Sequence, residues 1–243
     1  MDFSGTYDMN MATTMENATL RTKPCLALIG DMVGSRELPR SRRPKIQERF
    51  KEFIQYLNKR FAKDILSRFV ITLGDEFQGL LSSAAPIPDL MWDIEHRFSD
   101  RDLRVGVGFG VLYTPIPKEA INVDGPALYN ARTAIESARS KRSLGGVFVG
   151  FGEMDQVMNG MARILSFHRS RLTQQQLRIA ELMRKGLTHM EAANQLKISR
   201  QAITKQVRSM GWGAYTEAEL AWRAFIEKWV NPTIEKKRAK NHN

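Results

Sequence analysis

Two acidic residues sit in short glycine-flanked segments: Asp31 in Gly30-Asp31-Met32-Val33-Gly34-Ser35, and Asp75 in Leu73-Gly74-Asp75-Glu76. Carboxylates suit Mg²⁺ or Mn²⁺, hard cations that take oxygen ligands and complete their shells with substrate phosphates. Backbone N–H groups in a loop such as 30–35 suit phosphate oxygens. The two segments therefore predict a metal and nucleotide site with Asp31 and Asp75 as metal ligands. Gly30, Met32, Val33, Gly34, Ser35, Gly74 and Glu76 would line it. Arg104, Lys118 and Arg132 are candidate phosphate partners by charge and location.

A second chemistry lies in MEAANQLKISRQAITKQV, residues 190–207. Ala192 or Ala193 lets two helices approach, Leu196 and Ile198 bury a turn, and Ser199 caps a helix whose inward positions are Ile203 and Val207. Arg200, Gln201, Thr204, Lys205 and Arg208 then point outward, presenting donors to base edges and phosphates in a DNA major groove. Lys197 occupies the turn position that needs left-handed backbone, at a cost of about 1 kcal/mol for a non-glycine residue. The segment resembles the helix-turn-helix of bacterial regulators of the sigma-factor and LuxR-like kind.

Charge agrees with a polyanionic partner for this part of the chain. Residues 1–160 hold 21 Lys and Arg against 20 Asp and Glu, whereas residues 161–243 hold 16 against 6, so the net charge of +11 is concentrated at the C-terminal end. Counterion release on phosphate neutralisation makes such a surface a nucleic-acid binder. The lone cysteine, Cys25, excludes an internal disulfide, and no apolar run reaches the roughly 18 residues needed to cross a bilayer. A cytoplasmic protein without membrane contact is expected.

Several elements must position these residues. Residues 1–23 are polar and read as disordered, with Met9, Met11 and Met15 as alternative start sites. The pattern from Pro24 predicts a strand over 25–29, a helix from Pro44, a hairpin over 69–81 with Gly74-Asp75 at its turn, a helix over 88–98 and a glycine-alternating strand over 103–112. A helix over 126–140, capped by Asp124, and a strand over 146–150 follow. Strand, helix, hairpin, helix, strand is the split β-α-β order of a ferredoxin-like α/β (α+β) domain. In that order the first strand runs antiparallel beside the third, so Asp31 and Asp75 meet at one rim. A connecting helix over 155–168 would bury Val157, Met158, Met161, Ile164 and Leu165. Capping boxes at Thr173/Gln176, Thr188/Glu191 and Thr216/Glu219 mark three helix starts, and Gly186 and Gly211 mark helix ends. Trp222, Phe225 and Trp229 read as core or dimer contacts. The resulting division is 1–23, a palm-like domain 24–152, a connector 153–171, an all-α domain 172–231 and a frayed basic tail 232–243.

IGDMVGS, LGDEFQG and RVGVGFG make residues 25–140 similar to the βαββαβ palm of nucleotidyl cyclases. That resemblance implies two metals on Asp31 and Asp75 acting on a nucleoside triphosphate. Ile71 stands where adenylyl cyclases carry a base-recognising lysine, and Leu73-Gly74 where diguanylate cyclases carry two glycines. With the segment Asp124 to Ala127 added, the chain resembles the SatD family from about Pro24 to Val230. That resemblance implies the same two-part architecture. The expectation is a DNA-binding regulator whose palm senses a nucleotide with Mg²⁺ or Mn²⁺, with a homodimer as one arrangement for it. The competing classes are a metal-dependent cyclase or other triphosphate-processing enzyme, and an interaction adaptor.

Overall fold

The run CLALIGDM is apolar at both sets of alternate positions as far as Gly30, and it forms a strand, β1 (Cys25–Met32), buried along its whole length. In this computed structural model, residues 24–98, 101–140 and 145–240 are described, with backbone alone for 236–240. The expected disordered segment 1–23, with its alternative start sites, lies outside the described residues. Around β1 stand α1 (Arg43–Arg60), β2 (Ile65–Leu73), β3 (Glu76–Leu81), α2 (Ile87–His96), β4 (Leu103–Gly110), α3 (Pro126–Ser140) and β5 (Val147–Val149). The chain is thus mixed α/β, with a five-stranded sheet of order β2-β3-β1-β4-β5. β1 is antiparallel to both β3 and β4, while β5 is parallel to β4.

The two faces of β1 enter different cores. Leu26, Leu28 and Met32 pack with α1 and α2, including Phe50, Leu57 and Leu90. Cys25, Ala27 and Ile29 pack with Ala127, Ala131 and Ile135 of α3. Alternate glycines of β4 let that helix settle directly on the strand. A Cβ on Gly106 would lie 2.3 Å from Ile135 N, and one on Gly108 only 2.1 Å from Ala131 N. The start of α3 differs from expectation: the Asp124 carboxylate accepts the Tyr129 hydroxyl, 2.7 Å, and Gly125 at φ 141° precedes the helix.

The remaining helices are α4 (Met154–Ser170), α5 (Gln174–Arg184), α6 (His189–Leu196), α7 (Arg200–Ser209), α8 (Trp212–Phe225) and α9 (Asn231–Lys240). A π-helical turn, Ile226–Val230, joins the last two. Thr173 and Thr188 form full capping boxes with Gln176 and Glu191. The third box is not formed. Gly211, left-handed at φ 63°, starts α8 earlier, so Thr216 lies inside the helix and its hydroxyl returns to the Trp212 and Gly213 carbonyls. The chain also continues helically through Pro232 instead of fraying, because Pro is tolerated in a first turn and Ile234 is buried. α4 buries Met158, Ala162 and Leu165 and packs Met161 half-buried against the same core, but Val157 and Ile164 face outward, so three of the five expected positions point inward. Trp222 is core, sealed against Phe148 at 6.0 Å, whereas Trp229 is exposed. One apolar cluster runs from Leu26 to Ile234, so the sheet and the C-terminal helices share a core.

The backbone contact between α3 and β4 leaves no volume for a methyl group. Gly108→Ala should therefore lower unfolding free energy by about 1–3 kcal/mol or more, read by urea denaturation. Gly213→Ala, in an open position inside α8, should leave it unchanged or raised.

Candidate functional site

Pairing β1 with β3 sets Asp31 directly opposite Glu76, and pairing β1 with β4 sets Asp31 opposite Arg104. Directly opposed residues share a sheet face, here the one covered by α3. Both carboxylates are buried, and α3 supplies their counter-charges from two positions seven residues apart. Arg139 Nε donates to Asp31 Oδ2 at 2.8 Å, and its Nη2 to Glu76 Oε2 at 3.3 Å. Arg132 Nη1 donates to the same Glu76 oxygen at 2.8 Å. Arg104 Nη1 stands 3.8 Å from Asp31 Oδ2. Burial alone would lower the Arg139 pKa, but Asp31 and Glu76 outweigh it and raise the value, so this guanidinium stays charged. Asp31 Oδ1 is buried with no hydrogen-bond partner.

The segments of the two expected metal ligands adjoin through the backbone: Met32 N, one residue past Asp31, donates to the Asp75 carbonyl at 2.9 Å. Their carboxylates take different partners. Asp75, in the two-residue turn between β2 and β3, accepts the Ser35 hydroxyl, while Asp31 shares Arg139 with Glu76. Among the described residues, no group of three or more His, Cys, Asp or Glu side chains is arranged to hold a metal ion. The residues therefore fit a cation only as partial ligands, with the unpartnered Asp31 oxygen as the available donor.

The other expected lining residues divide. Glu76, Arg104 and Arg132 belong to the cluster. Met32 and Val33 use their N–H groups within the chain, on the Asp75 and Asp102 carbonyls. Gly34 makes the left-handed bend, φ 66°, that carries Ser35 to Asp75. Gly30 is a packing position, since a Cβ there would lie 2.3 Å from the Phe77 ring. The Gly74 carbonyl accepts the Gln47 side chain. Lys118 lies apart, in a segment whose backbone pairs with Arg68 on the outer strand β2. Arg139 was missed by sequence reasoning, although its spacing of seven from Arg132 puts both on one helix face.

At the C-terminal end, α7 stands on Ile203, which is fully buried, and on Val207. Ser199 caps it through Ala202 N, and Lys197 adopts the expected left-handed conformation, φ 54° and ψ 43°. Leu196 and Ile198 pack at the turn between α6 and α7. Arg200, Gln201, Thr204, Lys205 and Arg208 are all exposed along the outer side of α7.

A third cluster, unmarked in the sequence, ties these helices to α2. Arg169 is almost wholly buried and grips both Glu95 oxygens at 2.6 Å, while also donating to the Tyr215 hydroxyl at 3.2 Å. The Tyr215 hydroxyl donates to Glu219, which also receives Arg184 and Arg223. Both guanidinium groups reach on to Asp89. Burial alone would raise the Glu219 pKa, but the Arg184 charge and the hydrogen bonds from Arg184, Arg223 and Tyr215 outweigh it and hold the carboxyl below its usual range.

A depressed folded-state pKa contributes stability that is full above the ordinary glutamate value and lost as pH falls through the lower one. Glu219→Gln should therefore be less stable than the parent by about 1–3 kcal/mol at neutral pH. In urea denaturation across pH, that gap should close only below the ordinary glutamate range. A gap independent of pH would refute the assignment.

No curated protein and no solved structure matches the chain. Nor does any helix among the described residues have the length and apolarity to cross a membrane. The SatD family model matches residues 25–222, which span β1 through most of α8 and hence the Asp31 and Glu76 cluster, the α7 surface and all of the Arg169 cluster except Arg223. The chain belongs to the SatD family.

Proposed function

We propose that the chain is a cytoplasmic DNA-binding regulator in which α5, α6 and α7 form a helix-turn-helix and α7 enters the major groove. The carrying observation is the exposed row Arg200, Gln201, Thr204, Lys205 and Arg208 on a helix anchored from behind by Ile203. Support comes from agreement between levels: two capping boxes, the Ser199 cap and the left-handed turn at Lys197 fix the geometry, and the surrounding sequence is strongly basic. Arg and Gln near the start of such a helix have the donors that read guanine and adenine edges, while Lys205 and Arg208 suit phosphates.

In the same reading the sheet unit is a ferredoxin-like, cyclase-related palm that takes the phosphates of a nucleotide with Mg²⁺ or Mn²⁺. Arg104, Arg132 and Arg139 would turn from carboxylate to phosphate, and Asp31 and Asp75 would hold the cation. A cation bound by one or two carboxylates plus phosphates needs no all-protein cage, which agrees with the limited carboxylate set found.

The buried, unpartnered Asp31 Oδ1 favours a second reading, an enzyme that processes a nucleoside triphosphate. Purified protein incubated with each triphosphate and Mg²⁺ or Mn²⁺ separates the two. Pyrophosphate release abolished by Asp31→Ala and Asp75→Ala identifies an enzyme; metal-dependent binding without product identifies a sensor.

For DNA binding, fluorescence anisotropy with duplex DNA at several salt concentrations is the test. Arg200→Ala and Lys205→Ala should both weaken binding, and loss of a pure phosphate contact should reduce the salt dependence by about one released counterion. Unchanged affinity and slope in both variants would remove α7 as the DNA-contacting helix.

A further inference from the structure

Helix α4 is apolar on two sides. Its inner side, Met158, Ala162 and Leu165, is buried against the rest of the chain, yet its outer side carries Val157, Ile164 and Phe167 at 42%, 62% and 63% exposure. With Gly160 these residues follow one another at steps of three, four and three, the spacing of a helix–helix seam. Gly160 has no internal reason to be glycine: its φ is not positive, and nothing lies within 4 Å of where its Cβ would stand. A glycine inside a helix lowers its stability, so an open glycine on an apolar seam calls for something outside that approaches closely.

We infer that a second copy of this chain covers this face, with the two α4 helices packed antiparallel about a two-fold axis near Ala162. In that arrangement Gly160 of one copy comes opposite Ile164 of the other, so the isoleucine fills the open space over the glycine, and Val157 comes opposite Phe167. Each large group meets an apolar or small one, and the pattern is complementary to itself, as an isologous contact requires.

Charge selects the direction. Exposed Glu153 stands at the start of α4 and exposed Arg171 just past its end, with the Arg171 guanidinium 5.6 Å from the Phe167 ring and therefore over the seam. Antiparallel packing pairs Glu153 with Arg171 at both ends. Parallel packing would set Arg171 against Arg171 and Glu153 against Glu153, and would align the helix dipoles unfavourably. Because α4 leads into α5, the same axis would relate the two α7 helices.

Sedimentation equilibrium of the full chain tests the proposal. The parent should weigh twice 27.7 kDa. Ile164→Glu should raise the dimer dissociation constant roughly tenfold or more, without changing the thermal midpoint at dilutions where both proteins are monomeric. Glu153→Arg and Arg171→Glu should each weaken the dimer, and the two together should restore it. A monomer at roughly 100 µM overturns the proposal, as does a dimer indifferent to Ile164→Glu. A monomer whose thermal midpoint falls with Ile164→Glu also overturns it, because the face would then be covered by the chain's own residues.

Discussion

The structure depends on a contact in which no side chain intervenes: α3 lies with its backbone on the glycines of β4. Gly106 and Gly108 meet the helix at Ile135 and Ala131, so the helix axis is held at a distance no larger residue permits. That depth sets the reach of everything α3 projects over the sheet. Ile135 fills the core beneath the helix, while Arg132 and Arg139, on the same side, extend to Glu76 and Asp31. Two buried carboxylates are tolerable only when countered, since an unpaired charge in a low-dielectric interior is far costlier than a paired one. The glycines of β4 and the arginines of α3 are therefore one device.

A comparable logic joins the C-terminal helices to the sheet. Arg169, nearly devoid of solvent contact, is neutralised by Glu95 of α2, and Arg184 and Arg223 converge on Asp89 of the same helix. Arg184 also lies over the Trp92 ring at 4.4 Å. Trp222 of α8 is in turn buried against Phe148 of β5. The surface bearing α7 is thus part of a body whose core is continuous with the sheet. The electrostatic network fixes orientation, and the apolar contact supplies most of the driving force.

What could be read in the sequence was local. The Thr173 and Thr188 boxes, the Ser199 cap and the left-handed Lys197 follow from residue types a few positions apart, and each is observed. The antiparallel placement of β1 beside β3 also followed from element order. Thr216/Glu219 misled because the same spacing occurs inside a helix once Gly211 has started it, and Glu219 is drawn away to Arg184 and Arg223. Partners distant in sequence left no local trace. Arg139 is 108 positions from Asp31 and Arg169 is 74 from Glu95, and only the folded chain brings either pair together. The role of Glu76 as the second buried carboxylate, beside Asp31, depended likewise on strand register.

Taken as a regulator, the protein would couple two charge exchanges: nucleotide phosphates drawing arginines from Asp31 and Glu76 at the sheet end, and DNA phosphates meeting the exposed residues of α7. Coupling between sites is reciprocal and has a measurable size. The most direct measurement is the affinity of the full chain for duplex DNA with and without saturating nucleoside triphosphate and Mg²⁺, in the parent and in Asp31→Asn. The account predicts a change of about fivefold or more in the parent that is lost in the variant. DNA affinity that no triphosphate alters, or that changes equally in both proteins, would contradict it.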